Sequence, residues 1–258
     1  CQLMITVDCG ISAIDEIDYA NTLGIETIVT DHHEPGNDLP NALAVIDNKR
    51  KDSTYPFREL AGVGVVFKVI QALGIKLGLK EEAYLKYLDI VCIGTISDIV
   101  PLVDENRVIA KLGLLLIKQT QNIGLRSIIQ SSGYTKIDSN SISFGIAPRI
   151  NACGRMGKAE DALALFLSKN IHQVSELTTK LNDYNRLRQD TEKKIFESAI
   201  QEIQEKGLDK NTAIIVGGHN WHHGVIGIVS SKITEMYFKP SVLLSFEEDG
   251  RGTGSGRS

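Results

Sequence analysis

Short apolar runs and helical patterns alternate along the first part of the chain. Strand-like runs occupy residues 3–7, 25–30 and 42–46, and residues 14–23 have the spacing of an amphipathic helix. From residue 62 to about residue 132 the apolar positions follow a helical period. Strands that alternate with helices are typical of a parallel sheet covered by helices. The pattern therefore predicts an α/β domain with a mainly parallel sheet.

The second part of the chain repeats this alternation on a smaller scale. Residues 171–206 contain neither Gly nor Pro, which favours a long helix or a helix pair. Strand, helix and strand patterns follow at residues 213–216, 225–236 and 241–246, and lead into a glycine-rich run that we expect to be a loop. We expect two α/β lobes that face each other across a cleft. The expected domain boundaries are residues 1–170 for the first lobe, 171–206 for a connecting helix and 207–258 for the second lobe.

Composition and charge narrow the class of protein. The 258 residues are 42% hydrophobic and 23% charged, which suits one large globular domain or two smaller ones. No uncharged apolar run approaches the ~20 residues that span a bilayer, so we expect a cytoplasmic protein. A net charge of −4 argues against coating nucleic acid through bulk positive charge, but it is compatible with an enzyme that has a localised basic groove. The four cysteines form no C-x-x-C pair, and we expect buried or idle thiols.

Carboxylates and imidazoles follow two of the predicted strands. Asp8 comes directly after the first strand, and Asp31, His32 and His33 come directly after the second. The carboxyl ends of strands are where open α/β sheets build ligand sites. Oxygen and imidazole ligands without thiolate suit Mn²⁺ or Mg²⁺ better than structural zinc. The alternative is a polar loop whose histidines are merely solvated.

Asp98 is a further candidate ligand. It closes the apolar run at residues 90–98, so we expect its carboxylate to be buried. A buried carboxylate needs a metal ion or a polar partner. The alternative is an aspartate that caps the end of a helix.

Together these motifs resemble the DHH phosphoesterases, and most closely their RecJ branch. The resemblance extends over essentially the whole chain. The DHH motifs are VDCG at residues 7–10, VTDHH at 29–33, AGVGVVFK at 61–68 and GTISDIVPL at 94–102. The block IAPRINACGRMG at residues 146–157 resembles the RecJ signature, and WHHGVIGIV at 221–229 and GSGRS at 254–258 resemble the associated DHHA1 domain. In isolation, the Gly-x-Gly of residues 61–68 more commonly allows close helix packing than phosphate binding.

The resemblance implies a metal-dependent enzyme that degrades single-stranded DNA from the 5′ end in repair and recombination. It implies two divalent metal ions, Mn²⁺ by preference or Mg²⁺, with Asp8 bridging them and His32 and Asp98 as further ligands of one ion. Asp31 would orient an imidazole, and His33 would face the scissile phosphate. Single-stranded DNA is the expected partner, and a helicase or a single-strand-binding protein is a further candidate.

Several polar residues in the second half are candidates for gripping DNA. Arg149 and Arg155 flank a polar turn, and guanidinium groups match phosphate geometry, although structural ion pairing is the alternative. The terminal glycines would let backbone N–H groups approach an anion, although a plain flexible loop is the alternative. Trp221 either stacks on a base or packs the lobes together, and both remain open. The full candidate set is Arg149, Asn151, Arg155, Trp221, His222, Gly254, Ser255, Gly256 and Arg257.

The chain departs from the family pattern at its ends. The family carries closely spaced aspartates on a strand before residue 1 and an oligonucleotide-binding domain after DHHA1, so we expect an incomplete metal shell and an inactive or nearly inactive chain. A rival enzyme is a small DHH phosphoesterase that cleaves short oligonucleotides or cyclic dinucleotides, and the block at residues 146–157 favours the RecJ type instead. A rival of another class is a non-catalytic DNA-binding scaffold. The intact candidate ligands argue against that scaffold.

Overall fold

A computed structural model describes all 258 residues as an α/β fold made of two compact units. The first unit contains Cys1–Gln121 and Gly133–Ala147, and the second contains Asn122–Ser132 and Pro148–Ser258. The strands are β1 (Leu3–Val7), β2 (Glu26–Asp31), β3 (Ala44–Asp47), β4 (Ile214–His219), β5 (Ser241–Phe246) and β6 (Gly252–Arg257). The helices are α1 (Ile14–Thr22), α2 (Gly62–Lys76), α3 (Glu82–Leu85), α4 (Leu88–Ser97), α5 (Asp104–Ile117), α6 (Ile123–Ser131), α7 (Ser139–Ser141), α8 (Ala147–Arg155), α9 (Ala159–Leu167), α10 (Ile171–Lys206) and α11 (His223–Tyr237).

The sheet of the first unit is wholly parallel, in the order β1-β2-β3. Val7 pairs with Thr30, and Asp31 pairs with Asp47. Because all three strands run in the same direction, their carboxyl ends lie along one edge of the sheet. That edge carries the polar residues that follow β1 and β2.

Helices bury the apolar side chains of the first unit. The helix α2 packs on β2 and α4, and α4 packs on α5. The core includes the buried side chains of Phe57, Leu60, Val65, Phe67, Tyr84, Leu88, Val91 and Ile109. Packing on both sides of α4 explains why that helix is apolar along nearly its whole length.

The second unit has a mixed sheet in the order β4-β5-β6, with β4 parallel to β5 and β6 antiparallel to it. The terminal glycine-rich run, expected as a loop, is therefore the edge strand β6. Glycine suits this strand because a Cβ at Gly254 would lie 2.6 Å from the Leu244 side chain. The loop expectation was wrong because strand pairing across a turn is not visible in the local pattern.

The long helix α10 spans Ile171–Lys206, the bounds that its composition predicts. The side chain of Asn170 accepts hydrogen bonds from the first backbone N–H groups, and Gly207 ends the helix at a φ of 63°. The helix lies wholly in the second unit and packs on α6, α9, α11 and β4. This unit therefore begins before the expected boundary at residue 170. No helix in the chain combines the length and the apolar character that crossing a membrane requires.

Candidate metal centre and anion-binding residues

Asp8 follows β1 directly and adopts a positive φ of 64°. Its backbone N–H donates to the Thr30 carbonyl, which fixes the turn that presents the carboxylate. A Cβ placed on Gly62, the first residue of α2, would lie 2.2 Å from Asp8 Oδ1. The first glycine of the Gly-x-Gly motif thus makes room for this carboxylate, which agrees with a role in close packing.

Asp31 ends β2 with only 1% of its surface exposed. Its carboxylate accepts hydrogen bonds from the backbone N–H groups of Ile11, His32 and His33, and from His33 Nδ1 at 2.7 Å. Burial alone raises the pKa of Asp31, but these donors outweigh it and hold the pKa below its usual value. The same pairing raises the pKa of His33. Asp31 therefore fixes the orientation of the exposed His33 ring.

His32 is 7% exposed, and its Nε2 lies between two carboxylates. The distance from Nε2 is 3.0 Å to Asp8 Oδ1 and 3.6 Å to Asp98 Oδ2, but Nε2 has no partner with hydrogen-bond geometry. Ligand atoms of Asp8, His32 and His33 all lie within 4.8 Å of one another. A buried nitrogen that is left unsatisfied beside converging carboxylates fits a divalent cation held by oxygen and imidazole ligands.

Asp98 lies at the position that follows α4, and 37% of its side chain is exposed. The expectation of a buried carboxylate was wrong because the apolar run is helical and ends at Ser97, so the next residue leaves the core. Burial of part of the group raises the pKa of Asp98, and the nearby negative charge of Asp8 raises it further. A cation between Asp8 and Asp98 would relieve this repulsion.

Asp47 is a carboxylate at the same sheet edge that sequence reasoning missed. It pairs in register with Asp31, is 5% exposed, and accepts a hydrogen bond from the Lys49 backbone at 2.7 Å. Its other oxygen has no hydrogen-bond partner, and burial raises the pKa of Asp47. Its position at the end of β3, equivalent to Asp31 at the end of β2, was the available signal.

Two of the candidate arginines lie near the start of α11 in the second unit. Arg155 Nη1 donates to the Gly224 carbonyl at 3.0 Å. Arg257 Nη1 donates to Ser255 Oγ at 3.2 Å and to the Gly256 carbonyl. Burial lowers the pKa of Arg155, and the charges of Arg188 and Arg257 lower it further. The positive charges of Arg155, Arg188 and Arg257 therefore lie close enough to repel one another.

The remaining candidate residues of the second unit have structural partners or lie on its surface. Arg149 Nε donates to Asn182 Oδ1 at 2.8 Å, and Asn151 is exposed on α8. Trp221 is 8% exposed and belongs to the apolar core of this unit, which favours packing over base stacking. His222 caps α11, with its Nδ1 accepting from the Gly224 backbone N–H at 3.1 Å.

Comparison with known proteins gives a family and close relatives. Residues 2–95 match the DHH family, N-terminal domain. The chain is 43% identical over 261 residues to the single-stranded-DNA-specific exonuclease RecJ of Bacillus subtilis. The crystal structure of RecJ in complex with Mn²⁺ from Thermus thermophilus superposes with a TM-score of 0.86 at 35% identity, covering 98% of this chain. The Mg²⁺ complex of the same protein gives a TM-score of 0.76 at 32% identity, covering 100% of this chain.

These relatives are longer than the chain. The alignment covers 100% of the chain but 32% of the Bacillus subtilis protein. The superpositions cover 37% and 36% of the two Thermus thermophilus chains. The chain thus spans about a third of the length of this curated relative.

Proposed function

This chain belongs to the RecJ-type branch of the DHH family, and on that premise we propose that its protein is a metal-dependent exonuclease acting on single-stranded DNA from the 5′ end. The observation that carries the proposal is His32 Nε2, buried and unsatisfied between the carboxylates of Asp8 and Asp98. Such a cluster is suited to binding cations. It lies at the carboxyl edge of a parallel sheet, where α/β enzymes bind their ligands.

Asp8, His32 and Asp98 are the residues that would hold divalent metal, with Mn²⁺ or Mg²⁺ as the ion. When bound, a pair of divalent ions activates the attacking water and stabilises charge on the phosphate oxygens. Asp8 would present its carboxylate to an ion, because the side chain is 54% exposed and is held in one place by the turn and by Gly62. The Mn²⁺ and Mg²⁺ complexes of the Thermus thermophilus relative support this choice of ions.

His33 is the side chain that we assign to the scissile phosphate. Its Nδ1 is engaged by Asp31, so the exposed ring presents Nε2 as a donor. The raised pKa of His33, caused chiefly by that pairing, favours the protonated ring. A protonated imidazole donates a charge-assisted hydrogen bond to a phosphate oxygen. Asp31 is the positioning residue in this arrangement.

Arg155 and Arg257 are the residues that we assign to the phosphates of the strand. Both guanidinium groups lie beside the first turns of α11, and neither has a carboxylate partner within ion-pair distance. Ser255 adds a hydroxyl next to Arg257. Contacts of this kind neutralise backbone phosphates without reading sequence, as a non-specific exonuclease requires.

The test measures nucleotide release by the full-length protein that contains this chain. Long 5′-phosphorylated single strands, di- and trinucleotides, and cyclic dinucleotides are offered separately with Mn²⁺. We expect mononucleotides from the long strand and no release by the His32→Ala variant. Preferred turnover of the short or cyclic substrates would replace the exonuclease by a small DHH phosphoesterase. Strand binding without any hydrolysis would support a scaffold.

A further inference from the structure

A basic groove of the second unit is not used by the proposed function. It has a volume of about 420 Å³ and lies along α10 and the neighbouring α11. Its lining consists of Arg188, Gln189, Glu192, Lys193, Phe196 and Lys232. Three cations therefore face one carboxylate, in a chain whose net charge is −4.

Glu192 holds two of these cations in fixed positions. The residue is 6% exposed, and its carboxylate accepts from Arg188 Nη1 at 2.5 Å and from Lys232 Nζ. Asn185 Oδ1 accepts from Arg188 Nη2 at 2.6 Å. These bonds connect α10 to α11, so the cations are ordered before any ligand arrives. Preordered groups bind with a smaller entropic cost.

The positive charge of the groove exceeds what Glu192 neutralises. Lys193 is 76% exposed, and the carboxylate that it faces is Glu197, with 3.9 Å between Nζ and Oε1. The exposed ion pair between Lys193 and Glu197 contributes little free energy at that distance. The Lys232 side chain is 53% exposed. The charge of Arg188 also reaches Arg155, so the groove and the arginines near α11 lie within one positive field.

Phe196 gives the groove an aromatic wall. The residue is half-buried and packs against the core that contains Ile195 and Trp221, while it also lines the groove. Aromatic side chains beside basic residues are the elements from which sequence-tolerant single-strand sites are made, because every base has a flat face that stacks.

We propose that this groove is an additional nucleotide subsite, in which Lys193 and Lys232 each contact one phosphate of a single DNA strand and Phe196 contacts an adjacent base. The inference rests on the proposed function, since the strand is the substrate named there. The subsite extends the grip on the strand beyond Arg155 and Arg257.

The experiment measures equilibrium binding of a 5′-phosphorylated oligothymidylate to the 258-residue chain in EDTA, at several salt concentrations. The variants are Lys193→Gln, Lys232→Gln and Phe196→Leu. The matched control is Lys194→Gln, because Lys194 is exposed on α10 next to Lys193 but does not line the groove. Thermal unfolding of each variant checks that the fold is retained.

We expect each lysine variant to lower the slope of log affinity against log salt by about 0.7, the value for one single-strand phosphate contact. We expect Phe196→Leu to weaken binding about fivefold or more without changing that slope. The Lys194→Gln control keeps the slope and affinity of the wild type. Lysine and phenylalanine variants that match the control would overturn the subsite, and so would a wild-type chain that does not bind the strand. Neither result bears on the proposed function, which nucleotide release by the full-length protein decides separately.

Discussion

At Asp8 the backbone has a φ of 64°, and the carboxylate occupies space that any side chain on Gly62 would need. Positive φ is uncommon for residues other than glycine, although Asp and Asn adopt it more readily than most. The strained turn and the missing side chain act together to hold one carboxylate beside His32. Ligand placement here depends on the backbone of two elements, β1 and α2, as much as on the ligand itself.

Asp8→Asn tests the ligand without disturbing the turn. Asparagine keeps the shape of the side chain and tolerates the positive φ, but it removes the charge that would hold a cation. In the full-length protein we expect hydrolysis to fall by about 100-fold or more, with a thermal midpoint within about 2 °C of wild type. The control is Asp38→Asn, because Asp38 is an exposed aspartate outside the cluster. Activity of Asp8→Asn close to that of the control would remove Asp8 from the metal ligands.

Gly62→Ala tests the packing that positions Asp8. The added methyl group would lie 2.2 Å from Asp8 Oδ1, so the carboxylate or the start of α2 must move. We expect weaker Mn²⁺ binding by calorimetry and a loss of activity in the full-length protein. Gly64→Ala is the matched control on the same helix, because its methyl group would meet the end of the Leu60 side chain at 3.3 Å. Equal Mn²⁺ affinity in the two variants would show that Gly62 has no part in placing the ligand.

The elements differ in how far the sequence predicts them. The bounds of α10 follow from its composition and its flanking Asn170 and Gly207, which are local signals. The terminal glycine run gives a wrong expectation, since β6 is a strand only because β5 pairs with it. Long-range pairing of this kind leaves no periodic pattern in a run of glycines.

The candidate metal centre shows the same division between local and long-range signals. Asp8 and Asp31 are found from their positions at strand ends. The exposure of Asp98 was predicted wrongly. The helix α4 ends at Ser97 and Ile99 adopts a positive φ, although the apolar run itself shows no break there. Asp47 was missed although it directly follows the strand predicted at residues 42–46, and only the pairing of β3 with β2 shows that it lies beside Asp31.

The link between α10 and α11 should make stability depend on acid pH. Burial alone raises the pKa of Glu192, but the hydrogen bonds from Lys232 and Arg188 outweigh it and lower the pKa below its usual value. A carboxyl group whose pKa is lower in the folded state stabilises the fold above its unfolded pKa. That stabilisation is lost as the pH falls through the folded pKa.

We therefore expect the wild-type chain to lose more free energy of unfolding than Glu192→Gln between about pH 5 and about pH 3. Urea unfolding at a series of pH values measures this difference. Near neutral pH the variant should be less stable by about 3 kcal/mol, because Arg188 and Lys232 lose their buried counter-charge. Glu197→Gln is the control, since Glu197 is exposed on the same helix. Parallel pH curves for wild type and Glu192→Gln would show that this link does not titrate with folding.

At the scale of the whole molecule, the net charge of −4 includes an acidic cluster in one unit and a basic cluster in the other. The first unit gathers Asp8, Asp31 and Asp98 around two histidines at one sheet edge. The second unit gathers arginine and lysine side chains along α10, α11 and β6. A metal ion and a phosphate chain are recognised by opposite charges, so each unit suits one of them.

This separation predicts that metal and DNA protect different units from hydrogen exchange. A ligand that binds the folded state lowers the population of local openings near its site, and short labelling times report those openings. With Mn²⁺ alone we expect slower exchange at residues 5–10, 29–34 and 94–99, with no change along α10 and α11. With oligothymidylate in EDTA we expect slower exchange at residues 188–196, 223–232 and 252–257. Asp8→Asn should abolish the first effect and keep the second. Protection by Mn²⁺ in the second unit, or by DNA in EDTA only in the first, would contradict the assignment of the two chemistries to the two units.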